Sequence, residues 1–206
     1  MPQHQSRLYL SALSVIVVAV ALLASSASDA AKRTFKNDQA AADSFQTKID
    51  FIKANAASSK PSQKPTVFSQ EEINAYFAER RLNMPEGVKS VVFDLRENEV
   101  TARTRVDFEQ IRKSRQSMNP LLAIFDGEHD CEVTAYAEPA GAGMVHVRVE
   151  SVEIDGVTVP KMALRMFVEK YVNPKYPNVG LDNDYRLPAH IESAVIDLDE
   201  GTIIQR

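Results

Sequence analysis

The pattern of polar and apolar residues changes abruptly near the start of the chain. The run Leu8–Ala24 contains no charged residue and no polar face, and Arg7 stands just before it. A basic start, an apolar stretch and the small residues that follow are typical of a secretory signal peptide, here cut after Ala27 or Ala30. These 17 residues would span about 25 Å as a helix, near the lower limit for crossing a bilayer. The pattern therefore also fits an uncleaved anchor.

Both interpretations of the leader predict the same location. The protein is either secreted by a signal peptide or tethered to the inner membrane by residues 8–24, so we expect a periplasmic or other extracytoplasmic site. We divide the chain into a signal peptide or anchor (1–30), a helical linker or stalk (31–66) and one α+β domain (67–206). A length of 206 residues suits one domain with accessory segments.

The segment after the leader shows helical periodicity between Ala40 and Ala56. Phe45, Ile49 and Ile52 recur at helical spacing and form a thin apolar stripe. Such a stripe fits a helix that lies on the domain and equally one that leads up from a membrane. The polar, proline-containing segment Ser58–Pro65 then predicts a linker.

The best-marked helix start in the chain is at Ser69. Glu72 stands three residues later and completes a capping box, while Phe68 and Ile73 occupy the positions of a hydrophobic staple. Asn74 is unusual inside a helix, because asparagine is a mediocre helix former. We interpret it as a structural residue that bonds to the neighbouring backbone.

After Pro85 the hydrophobic period changes to two, which indicates strands. The alternation predicts antiparallel pairs over 91–106, 131–154 and 191–205. Its phase shifts at Ser151, which indicates a β-bulge. The intervening charged positions predict that one face of the sheet contacts water.

A strongly apolar helix is predicted from Pro160 to about Tyr171, and its polar strip is so narrow that it must pack against a sheet or contact an apolar ligand. The segment 114–125 is also apolar, but its pattern does not decide between a helix and a loop. Methionine adapts well to irregular apolar shapes. The candidate ligand-binding residues are Leu121, Leu122, Phe125, Met162, Met166 and Phe167. The same residues would also suit an ordinary core, and both interpretations stay open.

Motifs for catalysis, metals and phosphates are missing from the sequence. The segment 126–132 contains carboxylates, His129 and Cys131, but it lacks zinc-site spacing, and we interpret it as a polar turn entering a strand. Residues 182–184 begin like a calcium loop without its later ligands, which favours a turn. We therefore expect no enzyme, no metal and no cofactor. Cys131, the single cysteine, is expected to be a buried thiol. The net charge of −4 argues against nucleic acid as a partner.

Three short motifs in order resemble a known family. They are the Ser69, Glu72 and Asn74 pattern at a helix start, a turn ending in proline over Val152–Pro160, and Leu187-Pro188 with Ile191 before a closing hairpin. Over residues 68–205 the chain resembles bacterial envelope proteins of the YpmS-like and LmeA-like groups, which are similar to tubular lipid-binding (TULIP-like) domains. The resemblance implies a helix cradled by a curved antiparallel sheet with lipid held between them, and it implies no catalytic residues.

These expectations combine into one architecture and two functions. The fold class is α+β: a curved antiparallel sheet packed against one or two helices, preceded by an N-terminal hydrophobic helix and a linker helix. The first function is a non-enzymatic exported or membrane-tethered envelope protein that binds a lipid or other apolar ligand between helix and sheet. The alternative is a structural or protein-interaction module of the cell envelope without a small-molecule ligand.

Overall fold

The computed structural model describes residues 38–82, 84, 87–115, 126–174 and 177–206. Within these residues the fold is α+β, as predicted, and the strands are antiparallel. The strands divide between two sheets, whereas the sequence suggested one. The hydrophobic segment Leu8–Ala24 lies outside the described residues.

The helices are short apart from the first. They are α1 (Gln39–Ala56), α2 (Gln70–Ala78), α3 (Phe108–Arg115) and α4 (Lys161–Phe167), and α4 continues as a π-helical turn over Val168–Val172. The predicted helices at 40–56, after Ser69 and after Pro160 are confirmed.

The strands form a larger and a smaller sheet. The six-stranded sheet contains β2 (Val88–Arg96), β3 (Glu99–Asp107), β4 (Glu128–Pro139), β5 (Met144–Ile154) and β6 (Val157–Thr158) in that order, with β7 (Asp182–Arg186) also paired to β5. The three-stranded sheet has the order β1 (Thr66–Ser69), β9 (Glu200–Gln205), β8 (Ile191–Asp197). Hydrogen bonds from Asn98 N to Ile196 O (3.0 Å) and from Gly143 N to Glu192 O (2.7 Å) join the two sheets.

The predicted hairpins and the predicted bulge are confirmed. Thr134 of β4 lies opposite Ser151, but the next residue, Ala135, lies opposite Val149. Glu150 is therefore the extra residue, and its insertion turns Val152 into the core, where it is fully buried.

The N-terminus of α2 has the predicted capping box and also binds α1. Ser69 Oγ accepts a hydrogen bond from Glu72 N (3.1 Å), and Ser69 N donates to Glu72 Oε2 (2.9 Å). Lys48 Nζ and Ser44 Oγ of α1 donate to the same carboxylate, at 2.6 and 2.5 Å. Burial alone would raise the pKa of Glu72, but these hydrogen bonds outweigh it and lower the pKa. The carboxylate is thus held ionised where the two helices meet.

Two polar side chains attach α2 to the outer edge of β2. Asn74 Nδ2 donates to Phe93 O (2.8 Å), and Phe93 N donates to Asn74 Oδ1 (2.7 Å). Gln70 Oε1 accepts from Leu95 N (2.5 Å), while Asp199 N donates to Leu95 O (3.1 Å). Asn74 does bond to backbone, as predicted, but its partner is a strand 19 residues away. The helix thereby satisfies an edge that would otherwise leave buried peptide groups unpaired.

The sequence left two positions open for α1, and the structure shows it lying on the domain. Phe45 and Ile52 are buried against Phe68, Tyr76 and Ile191. The Phe45 ring centroid lies 5.0 Å from that of Phe68 and 4.6 Å from that of Tyr76. The polar segment Ser58–Pro65 is the loop by which the chain turns back from α1 to β1.

Two local predictions differ from the structure. Helix α3 was not predicted; Asp107 Oδ1 accepts from Gln110 N (2.9 Å) at its start, and a Cβ on Gly87 would lie 2.5 Å from Ile111 Cγ1, so the helix packs directly over a glycine. The turn predicted at residues 182–184 is wrong, because these residues form β7. Their pairing with β5, distant in sequence, overrides their local turn preference.

Replacement of Asn74 by alanine tests the attachment of α2. Asn74→Ala leaves the buried N–H and C=O of Phe93 without partners, and each such group costs roughly 1–3 kcal/mol. We expect a loss of about 3 kcal/mol in the free energy of unfolding, measured by urea titration. The exposed Asn178 offers a matched control, since Asn178→Ala should change it by less than about 0.5 kcal/mol. Equal effects of the two changes would contradict the role assigned to Asn74.

Candidate functional site

Helix α4 begins where the sequence predicts. Pro160 is its N-cap residue, with φ −57°, and leads directly into Lys161. Leu164 and Val168, four residues apart, are 5% and 4% exposed and belong to the main core. This face of the helix is therefore packed against the six-stranded sheet and its surroundings.

The opposite side of α4 carries apolar side chains that the core does not cover. Met162 is 77% exposed and Met166 is 56% exposed. Residues four apart on a helix are neighbours, so these two side chains form one apolar row. Lys161 and Arg165 are also exposed and form a parallel row beside them. We call these four residues the methionine face.

Three of the predicted ligand-binding residues are described by the structure, and these three do not share one surface. Met162 and Met166 point to the surface, whereas Phe167 is half-buried and packs against the main core. Leu121, Leu122 and Phe125 lie outside the described residues. The apolar periodicity of α4 could not reveal which apolar residues face outward, because almost the whole circumference is apolar.

The two cations of the methionine face have no ion-pair partner among the residues that the structure describes. In the part of the chain that the structure describes, neither Lys161 nor Arg165 forms an ion pair. By contrast, Arg103 bonds Glu132 at 2.8 Å and Arg105 bonds Asp130 at 2.7 Å on the solvated face of the larger sheet. Among the described residues, the methionine face therefore combines exposed apolar surface with two cations that form no ion pair.

His146 of β5 lies among acidic residues, two of which belong to β7. Its Nδ1 lies 2.7 Å from Asp184 Oδ1 and its Nε2 lies 3.1 Å from Asp182 Oδ1. Glu138 lies directly across the β4–β5 pair, and Arg148 lies opposite Asp182. The hydrogen bond with Asp184 raises the pKa of His146, desolvation opposes it, and the charges of Asp182, Asp184 and Glu138 add to the rise. His146 lies on the polar face of β5, and the sequence did not reveal its acidic partners because residues 182–184 were predicted to form a turn.

The cluster at residues 126–132 is a polar turn entering a strand, as predicted. His129 Nδ1 lies 2.6 Å from Asp155 Oδ2, and Asp155 Oδ1 accepts from Asp130 N at 3.2 Å. The Phe108 ring makes an edge-on contact with the imidazole, at a centroid distance of 5.6 Å. Cys131 is a buried thiol, which confirms the prediction. Asp155 thus ties the β5–β6 turn to the start of β4.

Two further properties concern only the described residues. No group of three or more His, Cys, Asp or Glu side chains among them is arranged to hold a metal ion. None of their helices has both the length and the apolar character needed to cross a bilayer.

Comparison of the chain with protein-family models, with curated proteins and with solved structures finds no match. The function is therefore inferred from the sequence pattern and from the geometry of the described residues.

The contact of His146 predicts a pH-dependent stability. Because the folded-state pKa is raised above 6.5, its contribution is fully present below that pH and is lost as the pH rises through the folded pKa. We expect the difference in urea midpoint between the protein and His146→Gln to be larger at about pH 5.5 than at about pH 8.5. Asp184→Asn removes the main cause of the shift and should weaken this pH dependence. A difference that stays constant with pH would contradict the assignment.

Proposed function

We propose that this protein is a non-enzymatic component of the bacterial cell envelope that binds a lipid or another apolar ligand through the methionine face. The leader pattern of residues 1–30 supports an exported or membrane-tethered protein. The ordered motifs that resemble YpmS-like and LmeA-like proteins support an apolar ligand. The described polar clusters support structural roles, because their side chains tie neighbouring strands together.

The observation that carries this proposal is the exposure of Met162 and Met166. Covering a methionine side chain is worth roughly 1.5–3 kcal/mol, and two such side chains stand in one row without a partner from the described residues. A flexible, unbranched side chain suits a ligand without a fixed shape. An acyl chain is such a ligand.

The geometry favours a ligand on the outer side of α4 over one beneath it. Leu164 and Val168 already occupy the space between this helix and the sheet, where they are almost completely buried. Separating them to admit an acyl chain would remove their own burial. The proposed ligand position therefore differs from the one that the family resemblance implies.

The double variant Met162→Gln/Met166→Gln tests the proposal. Glutamine resembles methionine in length and helix propensity but is polar, so ligand binding should weaken while the fold persists. Covering both side chains contributes roughly 3 kcal/mol, so we expect at least a tenfold loss of phospholipid uptake, measured by native mass spectrometry. Leu198→Gln is the control, because Leu198 is 68% exposed on another surface. Uptake that is equally weakened in both variants, or unchanged in both, would refute a site on α4.

A second candidate function, protein interaction, is favoured by the outer face of the smaller sheet. Val67, Thr202 and Val195 form one row across β1, β9 and β8. Val67 is 41% exposed and Val195 is 38% exposed. This uncharged, β-branched row resembles the apolar centre of a protein interface more than a lipid site.

The variant Val67→Thr/Val195→Thr tests this second candidate. Threonine keeps the β-branched shape that strands favour but adds a hydroxyl group, so a protein contact should weaken without loss of the sheet. In crosslinked envelopes we expect a discrete crosslinked species that this variant diminishes and that Met162→Gln/Met166→Gln leaves unchanged. Crosslinking that is insensitive to the valine changes would exclude this face as the interface.

A further inference from the structure

We infer that the methionine face docks on an anionic phospholipid bilayer, with Met162 and Met166 among the acyl chains and Lys161 and Arg165 at the phosphate level. This inference rests on the proposed function. It specifies that the protein contacts lipid as part of a bilayer surface. The charge and the apolar character of the exposed side of α4 identify the bilayer as its partner.

The first step concerns charge. The charged residues of α4 itself are Lys161 and Arg165, which sum to +2, and the π-helical turn that follows adds one negative and one positive residue, Glu169 and Lys170. The whole chain has a net charge of −4. The net negative charge of the protein repels anions, so an anionic partner is attracted only where positive charge is concentrated. The positive helix α4 therefore directs such a partner to this side of the molecule.

The second step concerns the arrangement of charge and apolar surface. Lysine and arginine extend apolar stems and keep their charged ends in the polar layer, while the neighbouring methionines have no polar end. A partner that matches both rows must offer an apolar region directly beneath a layer of negative charge. Phosphate headgroups above acyl chains have this composition.

The third step distinguishes a bilayer from an acidic protein. The centres of protein interfaces are enriched in methionine and arginine, but they are depleted of lysine and are shaped to fit a partner. The methionine face places Lys161 beside its apolar row, and its exposed side chains are long and flexible. The valine row of the smaller sheet, Val67 with Val195, has the flat and uncharged character that the methionine face lacks.

The single buried cysteine makes a direct test practical. Met162→Cys places an accessible thiol on α4, and an environment-sensitive fluorophore attached in the folded full-length protein will avoid Cys131, which is 2% exposed. Leu198→Cys gives a matched probe on a surface not expected to meet the membrane. Both proteins are reconstituted into phosphatidylcholine vesicles with and without phosphatidylglycerol, and quenching by nitroxide-labelled lipid is measured.

We expect strong quenching at position 162 and weak quenching at position 198, and only in vesicles that contain phosphatidylglycerol. Lys161→Ala/Arg165→Ala in the Met162→Cys protein should weaken docking about 30-fold, from two basic contacts with the surface. The control Lys60→Ala/Lys64→Ala removes two exposed lysines elsewhere and should have no effect. Raising the salt to about 0.5 M should lower the quenching at position 162, because it shortens electrostatic attraction.

Equal quenching at positions 162 and 198 would overturn the inference, as would quenching that is the same with and without phosphatidylglycerol. So would an unquenched probe at position 162 that crosslinks to a protein in native envelopes, which would assign the face to a protein partner. Uptake of single phospholipids in native mass spectra, without docking on vesicles, would overturn this inference and leave the proposed function standing. Docking without uptake would support the surface and refute extraction of individual lipids.

Discussion

The polar attachment of α2 to the edge of β2 is the constraint on which the rest of the structure depends. Asn74 satisfies both peptide groups of Phe93, and Gln70 satisfies the N–H of Leu95. These bonds orient the helix so that Phe77 enters the main core while Tyr76 enters the cluster beneath α1. Helix α2 therefore lies between two apolar clusters. Its angle to β2 determines whether the residues of both clusters can pack closely.

A second set of polar contacts attaches α1 to β9 and to the turn before β8. Gln205 Nε2 donates to Ile52 O (2.9 Å) and to Ala189 O (2.7 Å), while its Oε1 accepts from Asn55 Nδ2 (2.9 Å). This buried side chain joins α1, β9 and the turn before β8. Together with the Lys48–Glu72 ion pair, it makes α1 part of the domain. Local sequence could not reveal this, because the apolar stripe of α1 is too thin to show what it packs against.

The two sides of α4 differ in burial. Leu164 and Val168 anchor the helix in the main core, so the exposed side is presented on a firmly held element. The outer face of the larger sheet has the opposite character, since its arginines are already matched by carboxylates such as Glu132 and Asp130.

The sequence by itself determined the features whose signals are local. The capping box at Ser69, the alternation of the hairpins, the bulge after Val149 and the helix after Pro160 all follow from neighbouring residues, and the structure contains each of them. Tertiary structure decided the features that need a distant partner. β7 forms because β5 supplies its hydrogen bonds, and the His146 imidazole of β5 contacts Asp184 of β7. The exposure of Met162 and Met166 was likewise decided by packing, because a nearly all-apolar helix buries only the side that a sheet can reach, and periodicity cannot say which side that is.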